Sequence, residues 1–277
     1  MKPSGAQHFD QAPHFWRDAA LPFIEARAIA DGRKACYARH SHEQFSLGTI
    51  TAGHSTYVHE HRTFHVSTGN VVLINPGVVH ACNPIEDQPW SYRMLYVDTP
   101  WLTALQQQTG FSQGPGFQPY STPLSNDPQL FARVNQLYAV LLDEQLSSLD
   151  KQQQVADFFR TLPQHLEPGC APLPEPRHKL ERAADYIRDN CTRALKMHDI
   201  CQAAELSASY LNRAFKQHYG MTPHAFLVNQ RVQLACLRLR QGAAIAEVAA
   251  EAGFADQAHL QRAFKQHLSA TPGQYRA

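Results

Sequence analysis

Ser209, Asn212, Arg213, Lys216 and Gln217 follow one another at three- and four-residue spacing within the stretch Ser207 to Phe226. On a helix that spacing stacks them on one face. Their chemistry is that of a DNA reader: Arg forks onto guanine, Asn or Gln onto adenine, and Lys reaches phosphates. A single face of this kind is the ordinary solvated side of an amphipathic helix. Here it occurs twice. Forty-nine residues on, Gln257, Ala258, Gln261, Arg262 and Lys265 take the same frame, and from Leu211 against Leu260 nine of sixteen positions are identical. Repetition at a fixed offset means one supersecondary unit built twice. Ala258 has no side-chain hydrogen bond to offer, so that place provides methyl contact alone.

The elements that must position these faces are two helix-turn-helix units. In the first, Asp199 to Glu205 predicts a short helix, and Ser207 caps the longer one whose apolar face carries Leu211, Ala214, Phe215 and Tyr219. In the second, Ile245 to Ala252 is the short helix and Gly253 the turn. The upstream match runs at an offset of forty-eight, so the second copy carries one extra residue before its long helix. Between the units, Thr222 as N-cap, Pro223 at the first position and Gly242 beyond the end delimit a connecting helix. A rod of this length spans about 28 Å, close to the ~34 Å between successive major grooves on one side of a duplex.

At this point the residues resemble a known family. From about Ala194 to Tyr275 the chain is similar to the tandem DNA-binding domain of the AraC/XylS bacterial transcription regulators. The resemblance rests on Ser207 to Lys216, on Arg231 with Ala235, on Val248 to Asp256, on Arg262-x-Phe264-Lys265 and on Thr271-Pro272-x-x-Tyr275-Arg276. Three places depart from the pattern: Cys201 for a small Ala, Leu268-Ser269 for a residue-Gly pair, and Leu260 for a Phe. The resemblance puts base contacts at Ser209, Asn212, Arg213, Gln257, Ala258, Gln261 and Arg262. It implies a regulator, an activator type by expectation, with double-stranded DNA as partner and RNA polymerase as a further one.

Composition fits two joined parts. The 277 residues carry a net charge of +1, yet from Arg177 onward there are fourteen Lys and Arg against eight Asp and Glu, and before it eleven against sixteen. A basic half beside an acidic one suits a nucleic-acid module attached to something else. The six cysteines form no Cys-x-x-Cys pair, as expected of free thiols in a reducing compartment. No apolar run reads as a secretion signal or a membrane span. The expected location is cytoplasmic, with no membrane partner.

The acidic half reads as short strands at close spacing: Ile24–Ala28, Cys36–His40, Gln44–Thr51, Ser55–His59, Arg62–Val66, Asn70–Ile74 and Tyr92–Val97. Within it, His40-Ser41-His42-Glu43 and Gly69 to His80 resemble the cupin-like sensor domain that precedes the DNA-binding domain in many AraC-type regulators. Such a roll encloses a ligand cavity. Its polar lining is expected from His42, Gln44, Tyr57, His80, Arg93 and Tyr96, with an effector of unassigned identity. Metal-binding cupins gather a His-x-His, a later Glu and a further His. Here His40, His42 and His80 are present, but Glu43 follows directly and points to the other face of a strand, so no metal and no cofactor is assigned. The alternative function is a cupin-type metalloenzyme, a dioxygenase or isomerase, fused to a DNA-binding module. The crowd of histidines (His54, His59, His61 and His65 besides those three) leaves pH sensitivity an open alternative.

The expected architecture is therefore α+β. A flexible N-terminus covers residues 1–20, a cupin-like effector-sensing roll 21–100 and a helical segment 101–166. A Pro-rich linker (167–176) then leads to the tandem helix-turn-helix domain (177–277). In the helical segment, Leu130, Phe131, Val134, Leu137, Leu141, Leu142 and Leu146 form one stripe, and Val155, Phe158, Phe159, Leu162 and Leu166 another. These helices either pair two copies into a homodimer, with Leu137 and Leu141 at the contact, or simply cover the roll.

Overall fold

A computed structural model describes residues 12–169 and 178–276. Its first part is a strand roll with a helical cover, its second a set of helices. The spine of the roll is the long strand β3 (Phe45–His59). Its first half lies in a sheet with β7 (Trp90–Val97), β5 (Val71–Ile74), β2 (Ile24–Ile29), β1 (His14–Trp16) and β8 (Leu124–Ser125), and its second half pairs with β4 (Arg62–Ser67) and β6 (His80–Pro84). The changeover is local. Register against β7 shifts between Ile50 and Ala52, and Gly53 takes φ +68° with the Pro89 carbonyl oxygen pressed against the place a Cβ would take. Only glycine fits that bend. The expected strands 44–51 and 55–59 are thus one strand with a corner.

Other strand expectations need correction. Cys36–His40 forms no strand; His40 alone bridges to His80. The strand β6 was hidden by its polar end residues. Part of the stretch expected to be a flexible N-terminus is ordered: β1 pairs with β2, while residues 1–11 lie outside the described residues.

Period-two alternation on the strands separates two cores. Tyr92, Met94 and Tyr96 point into the roll with Ile50, Tyr57, Val72, Ile74 and Trp90. Leu95 and Val97, with Phe45 and Leu47, point out beneath α1 (Thr99–Gln108), α2 (Pro128–Leu142) and α3 (Ser148–Thr161). Leu137 and Leu141 are buried in this second core. Their apolar stripe is taken up by the chain's own sheet, so these two leucines are not available as a contact between copies.

The helical part begins at α4 (His178–Asp189); of the expected linker, residues 170–177 lie outside the described residues. The first unit is α5 (Met197–Ala204) and α6 (Ala208–Tyr219), the second α8 (Ile245–Glu251) and α9 (Gln257–Leu268), with α7 (Pro223–Arg240) between them and α10 (Pro272–Arg276) at the end. Ser207, Thr222 and Asp256 each accept a backbone N–H with their side-chain oxygen, capping α6, α7 and α9. The extra residue of the second copy is visible in the turns. One residue separates left-handed Glu205 from Ser207, whereas two separate left-handed Gly253 from Asp256.

The connecting helix α7 is 18 residues long, about 27 Å. Phe226 and Leu227 at its start belong to the core of the first unit; Val232, Ala235, Cys236 and Leu239 belong to that of the second. Arg231 stands at the junction. It is buried, and it donates to the carbonyls of Cys191 (2.7 Å) and Arg193 (2.7 Å), satisfying the turn after α4.

Candidate DNA-reading faces and sensor cavity

Both reading faces are open. Ser209, Asn212, Arg213, Lys216 and Gln217 on α6 are exposed, as are Gln257, Ala258, Gln261, Arg262 and Lys265 on α9. Behind them Leu211 and Phe215, and Leu260, Ala263 and Phe264, are buried. Helical periodicity therefore separates an exposed polar face from a packed apolar one on each helix. The ion pairs of this half use other cations: Lys179 and Arg182 with Glu205, Arg188 with Asp185, Arg238 with Glu251. Among the described residues, Arg213, Lys216, Arg262 and Lys265 keep their charge uncommitted. Tyr210, about half exposed, was not anticipated at this face; the Arg213 guanidinium lies over its ring, 5.9 Å from the centroid.

The roll holds a hollow of about 40 Å³. Rings from Tyr37, Trp90, Tyr92 and Tyr96 and aliphatic chains from Ile50, Val72, Ile74 and Met94 form most of its wall; His40, His80 and Cys82 complete it. Of the six residues expected to line it, His80 and Tyr96 do. His42 sits just behind, its ring 4.8 Å from His80 and 5.3 Å from Tyr96. Tyr57 is buried in the same core, but its hydroxyl is committed to the Leu73 carbonyl at 2.7 Å. Arg93 lies between Tyr92 and Met94 and so faces the opposite side of the sheet, where it donates to Asn135 Oδ1 of α2 at 2.9 Å. Gln44 precedes β3 and faces an open cleft with Glu43 and Asp98. Tyr37, His40 and Cys82 were missed as lining because their segments carry no clear alternation.

Every ionisable wall group is driven toward its neutral form. Burial pushes the phenols of Tyr37, Tyr92 and Tyr96 up and the Cys82 thiol up to about 12. Burial, reinforced by the neighbouring imidazole, holds His40 and His80 well below the usual range, and His42 falls to about 3. The three imidazoles are anchored alike: Nδ1 of His40, His42 and His80 meets the carbonyls of Ala38 (2.8 Å), Gln44 (2.8 Å) and Val78 (2.9 Å). Among the described residues no three His, Cys, Asp or Glu side chains are arranged to hold a metal ion.

The cavity wall is also where the helical part docks. The His40 ring is 6.3 Å from that of His267 on α9, and the Ala38 amide donates to the Gln266 carbonyl at 2.7 Å. Arg27 stands between Tyr96 of the wall (4.0 Å) and Tyr275 of α10 (5.7 Å), and Arg17 donates to the Tyr275 carbonyl at 2.7 Å. Glu25 pairs with both arginines; burial alone would raise its carboxyl, but Arg27 and Arg17 hold it below the usual carboxylate range. Tyr275 packs in turn on Phe264 of α9. The helix α9 thus rests on the cavity wall at two places.

Comparison with known proteins agrees with this division. Residues 23–159 match the model of the AraC-like ligand binding domain, and residues 200–277 that of a helix-turn-helix domain. The HTH-type transcriptional regulator YbfI of Bacillus subtilis is 24% identical over 226 residues, covering 80% of this chain and 81% of its own. The lactose operon transcription activator of Staphylococcus xylosus is 19% identical over 213 residues, covering 76% and 75%. ToxT of Vibrio cholerae, solved with an unsaturated fatty acid bound, shares the fold at a TM-score of 0.55 and 15% identity, covering 92% of this chain and 95% of that one.

Proposed function

Since the chain belongs to the AraC-type transcription regulators, an AraC-like ligand binding domain joined to a helix-turn-helix domain, we propose that an effector in the roll's hollow controls how α6 and α9 are presented to DNA. The observation that carries this is the double support of α9 on the cavity wall, through Ala38 and His40 with Gln266 and His267 and through Tyr96, Arg27 and Tyr275. An effector shifts the protein only through a difference in affinity between two arrangements. A molecule that displaces His40 or Tyr96 has such a difference, because it changes what α9 rests on.

The ten exposed residues named on α6 and α9 are proposed as the DNA contacts, with Arg213 and Arg262 reading bases and Lys216 and Lys265 binding phosphates. The likeness to the lactose operon transcription activator supports activation; RNA polymerase is the partner such a role would call for. Action on DNA implies a cytoplasmic location. A catalytic role is not assigned, the relatives being transcription regulators. Pairing of two copies, if the operator demands it, uses surfaces other than Leu137 and Leu141; sedimentation on and off DNA measures it.

The test is selection of bound fragments from the source genome by the intact protein, followed by titration of the winning duplex at several salt concentrations. A specific site bound at least about a hundredfold tighter than its scrambled form, with affinity falling steeply with salt, is expected. Equal affinity for both duplexes defeats the assignment.

A further inference from the structure

We propose that the hollow of the roll takes a compact, uncharged molecule with an apolar body and one hydroxyl donor, a simple phenol in chemical class, and that His40 and His80 receive that hydroxyl. The proposal rests on the effector-sensing reading above and specifies its ligand.

Charge is excluded by the wall. Among the described residues, no Lys, Arg, Asp or Glu side chain lines the hollow. Arg27 is near, behind the Tyr96 ring, where it shares Glu25 with Arg17, and it does not line the hollow. An ionised ligand would lose its hydration with no opposite charge to replace it. Neutrality of the wall itself points the same way: burial keeps the lining phenols, thiol and imidazoles uncharged. The body of the ligand must be apolar because four rings and four aliphatic chains surround it.

The donor follows from tautomers. His40 and His80 each have Nδ1 against a backbone carbonyl, at 2.8 and 2.9 Å. A carbonyl only accepts, so the proton is on Nδ1 and Nε2 carries a lone pair. Neither Nε2 has a hydrogen-bond partner among the described residues, and His42, anchored the same way directly behind them, has its Nε2 buried without one. Of the three, only the His42 Nε2 is fully buried and unpaired; the lone pairs of His40 and His80 remain accessible and free to accept. A group that offers O–H to this end pairs with them, while an ether or carbonyl at the same place adds a further acceptor. The Tyr37 and Tyr92 hydroxyls lie 2.5 Å apart and share one hydrogen bond; the phenol that accepts it keeps a proton to donate, so the bare acceptors for a ligand O–H are the histidine nitrogens.

Size sets the last condition. About 40 Å³ is less than the ~150 Å³ of an engineered apolar cavity that admits benzene. A ring therefore enters by moving a wall, and Met94, unbranched and with three rotatable bonds, is the wall that moves. This keeps the ligand to a single ring.

The probe set is phenol, anisole, benzoate and benzylamine, each at millimolar concentration with the intact protein. Melting temperature and tryptophan fluorescence (Trp90 is in the wall) are followed, and affinity for the selected duplex is recorded beside them. Phenol is expected to raise the melting temperature by roughly 2 °C or more, and the other three by less. In His80→Phe, which keeps a ring in place, phenol affinity should fall about tenfold and anisole affinity should hold or rise. Should that variant not fold, Met94→Leu is the second test, with phenol binding weakened because a stiffer wall must move. Benzoate, benzylamine or anisole matching phenol overturns the ligand class but leaves an effector-sensing roll standing. Stoichiometric Zn(II) uptake that His80→Phe abolishes overturns it as well, by giving the lone pairs to a metal. If no probe shifts the melting point, the ligand class falls; if in addition no compound of a wider panel changes DNA affinity, the effector reading falls separately.

Discussion

Arg213 and Arg262 are exposed guanidiniums on repeated helix faces, with no acidic partner among the described residues. Replacing either by Ala should cost about 1–3 kcal/mol on the selected duplex and relax preference at one position. Lys216→Ala should instead weaken all duplexes alike and lower the salt slope by about one. Gel-shift titrations on the site and its single-base variants separate the two; an Arg213→Ala loss that is the same on every sequence would reassign that residue to phosphate. The buried histidines make a second prediction at this scale. Unfolded, an imidazole takes its proton near pH 6.5; folded, His42 resists until about 3, and His40 and His80 are likewise lowered. Between those values the unfolded chain binds more protons, so stability is full above pH 6.5 and drains as the pH falls. The slope is about 1.4 kcal/mol per pH unit for each histidine kept neutral. Melting points at pH 7.5, 6.5 and 5.5 should drop with growing steepness, less so in His80→Phe. A melting point that does not change over this range would show that the imidazoles are hydrated in solution.

At the scale of elements, the sharpest dependence is on corners. Gly53 carries β3 from one sheet to the other at φ +68°, against the Pro89 carbonyl. Gly53→Ala should cost about 2 kcal/mol or more in denaturant unfolding, combining left-handed strain with displacement of that carbonyl; a loss under half of that would mean the corner relaxes freely. Ser269 ends α9 in the left-handed region at φ +54°, where the first copy has Gly220 at +71°. Ser269→Gly should therefore stabilise slightly, by about 0.5 kcal/mol, since relief of strain is partly offset by the freer unfolded chain. A fall in the melting point would count against this account of the cap. Such details mark how far the sequence is legible. The helix caps at Ser207 and Thr222 and the αL turn at Gly253 have local causes, and they can be read from the chain alone. The cavity wall is different. His40 reaches it through a bridge to His80, forty residues away, and Arg93 leaves it by the parity of its strand. Long-range pairing and register decide both, and neither is encoded in a short window.

For the whole molecule the decisive contact is made by Asn229, which is fully buried along α7. Its Oδ1 accepts the Ser41 amide at 3.3 Å, and its Nδ2 donates to the Ser41 carbonyl (3.1 Å) and hydroxyl (3.2 Å). Gln233, one turn on, adds a donor to the same carbonyl at 3.0 Å. Sequence spacing does not single out these two residues among the polar side chains of α7, because their partner lies 188 and 192 residues away. Ser41 sits between His40 and His42, so the rod that sets the spacing of α6 and α9 is tied to the histidine end of the cavity. Asn229→Ala leaves the Ser41 amide without its acceptor and should weaken docking by about 1–3 kcal/mol. Hydrogen exchange at the Ser41 amide should then quicken by roughly ten- to a hundredfold, while amides in β5 and β7, deep in the roll, keep their protection. The separation of these two readouts matters. Loss of protection throughout the roll would mean general destabilisation, and unchanged protection at Ser41 would mean that the remaining contacts, Arg17 and Arg27 about Tyr275 and Ala38 with Gln266, hold the two parts together without it. With docking loosened and the roll intact, DNA affinity should no longer respond to an effector, because the cavity can steer α9 only while α7 and α10 are fastened to its wall.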